Sequence, residues 1–190
     1  MQQESIVHFV GFITDMNTEE FAAEWDGYAQ TLKINKTKAV LYKQIKAGKN
    51  SYGYIAKFEL PEEDFQLPSI NERKPSSVSE SRIRALQLGG YTAVKQEQVY
   101  NNRDNNTTII TFVQHNENDM VYYRDLPLYS QLSIHQAYYE NSNYGYIMEF
   151  IVPEQDAETL LQHIEKRHLA TAGLYSVTLQ NKRNRLATSI

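Results

Sequence analysis

Tyr52-Gly53-Tyr54-Ile55, followed by Phe58, Pro61, Glu62 and Asp64, recurs 92 residues later as Tyr144-Gly145-Tyr146-Ile147, followed by Phe150, Pro153, Glu154 and Asp156. Each copy reads as a strand that runs into a helix-start signal. A match this long, held in register, points to internal duplication. It restricts the chain to architectures built from two similar halves, so the flanking segments can be read as equivalents.

In the first half, 6–13 is an apolar run of strand length. Asn17 and Glu20 form a capping-box signal for a helix whose Phe21, Trp25, Tyr28 and Leu32 share one face. Helical spacing accounts for that stripe as core, so Trp25 is structural. Segments 37–46 and 52–60 read as a hairpin. A surface loop containing Pro68 and Pro75 then leads to a short helix over 81–88, stopped by Gly89-Gly90, and a last strand over 91–100. The order β-α-β-β-α-β is a ferredoxin-like unit spanning 1–100. After a polar linker at 101–106, a second unit spans 107–190. It has a strand at 107–114, a helix over 119–132 weakened by Pro127, a hairpin of 134–139 and 144–152, a helix over 156–169 ended by Gly173, and a strand at 174–181.

Of the 190 residues, 41% are hydrophobic and 12% aromatic, enough for a substantial core. The net charge of -4, with neither half basic, argues against nucleic acid or an anionic membrane as main partner. The chain has no cysteine, which removes disulfides, thiol nucleophiles and thiolate metal sites and suits a reducing compartment. There is no signal-peptide pattern at the start and no stretch of membrane-spanning length, so the expected location is cytoplasmic. No hydrolase, phosphate-loop or calcium-loop motif occurs. His163 and His168 lie five residues apart on the predicted helix, roughly 140° around its axis, so they do not form a metal-binding pair. The expectation is no metal and no cofactor.

A ferredoxin-like unit leaves one sheet face without helices. Alternation groups Tyr52, Tyr54, Ala56, Phe58 and Leu60 on one side of the third strand, against Ile55, Lys57 and Glu59. Its second copy groups Tyr144, Tyr146, Met148, Phe150 and Val152 against Ile147, Glu149 and Ile151. If the tyrosine sets line the helix-free faces, packing the two sheets together encloses a tyrosine-rich interior. At this point the chain resembles the dimeric α/β-barrel superfamily, which includes antibiotic-biosynthesis-monooxygenase-like proteins; here both ferredoxin-like units come from one chain. The resemblance implies an α+β fold with antiparallel sheets packed as a pseudo-dimeric barrel. It also implies a pocket for a small apolar or aromatic ligand, with cofactor-independent oxygenase-like or isomerase-like chemistry. The strand ends Leu60 and Val152 lack the tryptophan frequent in monooxygenase-like members, and haem ligation is not carried over. The candidate ligand-binding residues are Tyr52, Tyr54, Tyr144, Tyr146, Met148, Phe58 and Phe150. His8, within an apolar strand, is the candidate acid or base if it points between the sheets. A homodimer is compatible with this architecture.

Two other readings use the same stretch. RNA-recognition motifs are also βαββαβ units with aromatics on the third strand, and the two YGYI segments match the centre of that signature. Lys57 and Glu149 replace its last aromatic, however, and 131–148 has no Lys or Arg to guide a phosphate backbone. In the remaining reading, a non-catalytic structural or interaction protein, the tyrosines only fill the interior.

Overall fold

The structure, a computed structural model, describes residues 5–31, 34, 39–48, 52–61, 83–98, 105–115, 129–166 and 170–177. Strand β1 (Ser5–Thr14) is the predicted apolar run. Helix α1 (Thr18–Thr31) starts where the capping signal places it. The Glu20 amide donates to Asn17 Oδ1 at 2.9 Å, and the Asn17 amide donates to Glu20 Oε2 at 3.0 Å. Then come β2 (Val40–Lys46), β3 (Tyr54–Pro61), β4 (Ile83–Gln98), β5 (Asn106–Val113), β6 (Gln131–Ala137), β7 (Tyr146–Pro153), α2 (Glu154–Lys166) and β8 (Ala170–Val177). Among the described residues the fold is α+β, with eight strands and two helices.

The strands close into one antiparallel barrel in the order β1-β3-β2-β8-β5-β7-β6-β4. Strands β4-β1-β3-β2 and β8-β5-β7-β6 therefore run in the same relative order. They join at two seams, β2 with β8 and β4 with β6. Closure satisfies backbone groups that two open sheets would leave at their edges.

The 16-residue β4 corrects the sequence reading, which made 81–88 a helix. Its first half pairs with β1 and its second with β6, so this one strand belongs to both seam and sheet. Ile83 and Ala85 pack with the cluster under α1, whereas Leu86 and Leu88 face the barrel interior, which is strand alternation. The glycines that read as a helix stop instead accommodate a bulge. The register shifts opposite them between Phe9 and Val10, and Gly89 has φ 128°, a region open to glycine. Gly173 likewise lies inside β8, and the last residue of α2 is Lys166. The loop over 62–81 lies outside the described residues. So does the helix expected over 119–132 as far as 128; its final residues Gln131 and Leu132 belong to β6.

Among the described residues three clusters form the core. One lies between α1 and the sheet, one between α2 and the sheet, and the third fills the barrel.

Candidate functional site

Along β3 and β7 the pleat runs opposite to expectation. Tyr54, Ala56, Phe58 and Leu60 face outward and pack under α1 with Phe21, Trp25 and Tyr28. Tyr54 stacks on Phe21 with ring centroids 3.8 Å apart and donates its hydroxyl to Met16 O at 3.0 Å. Met148, Phe150 and Val152 pack under α2 in the same way, with the partly buried Tyr146 against them. The apolar helix faces need the larger apolar stripe to cover, which sends the alternating set, Lys57 and Glu149 included, into the barrel. Tyr52 and Tyr144 escape this rule. They precede the strands, the chain bends at Gly53 and Gly145, and both rings turn into the interior.

One end of the interior is filled by tyrosines. The Tyr52 and Tyr144 hydroxyls meet at 3.0 Å. The Tyr175 hydroxyl donates to Tyr52 O at 3.1 Å and accepts from the Tyr52 amide at 3.2 Å. The Tyr91 hydroxyl does the same for Tyr144, donating to its carbonyl at 3.0 Å and accepting from its amide at 3.4 Å. Each fourth-strand tyrosine thus clamps the backbone of the opposite half. Burial pushes the Tyr52 and Tyr91 phenols up, and raises Tyr175 to about 12, so these groups stay neutral. They close and tie this end.

The other end is polar. The Glu149 carboxylate, 6% exposed, accepts from Lys57 Nζ at 2.9 and 3.0 Å, from His135 Nε2 at 2.7 Å and from the Tyr42 hydroxyl. Burial alone would raise its pKa, but the Lys57 charge and the hydrogen bonds from His135 and Tyr42 outweigh it and hold the group at about 2. Lys57 is 25% exposed and is the member nearest solvent. It also lies 5.8 Å from the centre of the Tyr42 ring. His135 is packed edge-on against Phe9 at 5.2 Å, and its Nδ1 is buried with no hydrogen-bond partner among the described residues.

Strand register shows what separates the two ends. Lys57 lies opposite Phe9 and Val40, and Glu149 lies opposite Ile110 and Ser133, so these trios are equivalent positions. By the same pairing Tyr42 corresponds to His135, Tyr91 to Tyr175, and Val7 to Thr108. At the packed end the equivalent pairs Tyr52/Tyr144, Ile55/Ile147 and Tyr91/Tyr175 are identical, with Gly11/Phe112 as an exception. At the polar end every pair differs. Two equivalent positions that face each other can form an acid-base pair only by carrying different residues, and Lys57 with Glu149 does so. With the tyrosine sets expected inside, alternation puts both on the outer side. The usable signal was the opposite charge of Lys57 and Glu149, 92 residues apart at matching positions of the two YGYI stretches.

His8 does not point between the sheets as the acid/base reading required. It stacks on Phe58 at 5.7 Å, on the side of the sheet that carries the α1 cluster, and burial lowers its pKa to about 4. His115 Nε2 lies 2.6 Å from Ser142 O, and His163 is exposed on α2. His168 lies outside the described residues. Among the described residues no group of three or more His, Asp or Glu side chains is placed to hold a metal ion, and no helix is long and apolar enough to cross a membrane.

The Glu149 cluster sets an acid limit on stability. A carboxyl that titrates at about 2 when folded and near 4.5 otherwise contributes stability that is complete above 4.5 and is lost as pH falls from there toward about 2. Urea midpoints measured across that window should fall more steeply for the natural protein than for Glu149→Gln. Parallel curves would mean that Glu149 has an ordinary carboxyl in the fold.

No family model matches the chain, and no curated protein matches it. Among solved structures, an anthrone oxidase-like protein superposes with a TM-score of 0.50 at 9% identity, over 93% of this chain and 92% of that one. The likeness is one of fold. It agrees with the strand order above, an α+β barrel of antiparallel strands closed within one polypeptide. A candidate monooxygenase of Fusobacterium nucleatum superposes at 0.46 with 10% identity, over 93% of this chain and 94% of that one. A major regulator of staphylococcal pathogenesis gives 0.41 with 8% identity, over 90% and 99%.

Proposed function

We propose that this is a cytoplasmic small-molecule-binding protein, made of two ferredoxin-like repeats over 1–100 and 107–190, whose ligand sits at the polar end of the barrel. Lys57, Glu149, His135 and Tyr42 meet the ligand's polar groups, and the Tyr52/Tyr144 pair closes the far end beneath it. The observation that carries this reading is the buried Glu149 carboxylate, held by three donors at the end of the barrel where Lys57 reaches solvent. A barrel that needed only filling is served by uncharged pairs, as its other end is by Tyr52/Tyr144, Ile55/Ile147 and Tyr91/Tyr175, since buried ion pairs add little stability over apolar residues of similar volume. The shared fold with an anthrone oxidase-like protein is compatible with cofactor-independent oxygenase-like or isomerase-like chemistry. An RNA platform is less favoured. The helix-free face lies inside a closed barrel, and Tyr54 is covered by Phe21.

The test is an NMR titration with a panel of small aromatic alcohols, ketones and carboxylic acids. Shift changes at Lys57, Glu149 and His135, saturating at one ligand per chain, are expected. Changes confined to Tyr54 and Tyr146, or none with any compound, would remove this reading.

A further inference from the structure

His135 and Glu149 form a dyad whose free end is unused by the fold. Because Glu149 is ionised and can only accept, the hydrogen bond at 2.7 Å requires His135 Nε2 to carry the proton. In the neutral imidazole the remaining nitrogen, Nδ1, is a lone pair, and it is buried with no partner among the described residues, on a side chain only 6% exposed. Buried polar atoms are rarely left unpaired without a role. Lys57 Nζ reaches both Glu149 oxygens, and a quarter of the Lys57 side chain is exposed, which places a cation beside the dyad on the solvent side.

We propose that the polar end is a proton-transfer site for small enolisable carbonyl compounds, with His135 Nδ1 as the base, Glu149 as its positioning residue and Lys57 as the cation beside the developing oxyanion. In the step, the bond between the α-carbon and its hydrogen breaks. The proton passes to Nδ1, and the electron pair stays on the ligand as an enolate. The imidazolium so formed is neutralised by Glu149, whose negative charge is already in place. Return of the proton to the same carbon gives exchange, and return to a different atom gives an isomer, so no oxidant or reductant enters. Tyr42 acts indirectly, by holding Glu149.

This inference rests on the binding reading above. The experiment incubates the protein with acetylacetone or β-tetralone in deuterated buffer. Proton NMR follows loss of the α-hydrogens, and ligand titration runs in parallel. The natural protein should exchange these hydrogens faster than buffer. His135→Gln, which keeps a side chain able to bond Glu149, should lose the acceleration, on the order of a hundredfold or more, while still binding the probe. Glu149→Gln should lower the exchange rate at saturation more than it alters affinity. Binding with undiminished exchange in His135→Gln would overturn the base assignment and leave the binding site standing. Absence of binding to the natural protein would overturn both. If the variants fold poorly, the tautomer of His135 in the unmodified protein decides the matter, by nitrogen-15 NMR of the ring. A proton on Nε2 with Nδ1 bare is expected, and a proton resident on Nδ1 at neutral pH would refute the proposal.

Discussion

Replacing Lys57 with methionine should cost about 3–5 kcal/mol of unfolding free energy, because it strands a buried carboxylate without its cation. Glu149 is almost fully enclosed, and of its three donors only Lys57 is a permanent charge. Once that charge is gone, the favourable terms that hold the carboxyl near 2 shrink to two hydrogen bonds while the desolvation cost remains. The group then either stays ionised at a penalty or takes up a proton and loses an acceptor site. Glu149→Gln in the same chain removes the charge but keeps an oxygen for Tyr42 and His135. The double variant should therefore recover much of the loss, with a coupling of roughly 0.5–3 kcal/mol in a denaturation cycle. Additive effects would mean that the two side chains do not meet inside the barrel.

That pair also shows where the sequence was legible. Helix α1 was placed correctly because its signals are local: Asn17 and Glu20 are three residues apart, and Phe21, Trp25 and Tyr28 fall on one face. The strands that begin at Tyr54 and Tyr146 were legible from their own apolar runs. The face of β3 was not legible, because alternation reports two sides without saying which one a helix covers. The aromatic set was assigned to the helix-free face and so to the interior, yet α1 and α2 each demanded an apolar sheet surface. Only long-range packing decides between these demands. β4 was misread for a related reason. Gly89-Gly90 after Leu88 has the local form of a helix stop, whereas its actual use, a bulge in a strand paired on both sides, depends on β1 and β6. His135 lacked a local signal, since its partner is fourteen residues away across a hairpin.

Truncating Tyr52 to alanine should cost about 3–5 kcal/mol, the range for a large aromatic in a site that cannot collapse. Its ring is fixed on several sides. The hydroxyl meets Tyr144, the ring edge meets Phe112 at 5.7 Å, and its backbone is clamped by Tyr175. Gly11 completes the fit, because a Cβ there would stand 2.5 Å from the Tyr52 ring. Since that ring has no room to yield, Gly11→Ala should itself cost about 1–3 kcal/mol by overpacking. The two changes relieve each other: the methyl group at 11 enters space that the missing ring leaves, so the double variant should be less destabilised than the sum of the singles. Tyr52→Phe, which removes only one hydroxyl contact, should cost about 1 kcal/mol. Equilibrium denaturation of the four variants checks this. If Gly11→Ala is silent and the effects simply add, the Tyr52 ring moves freely, and the packed end of the barrel must instead be counted as ligand space.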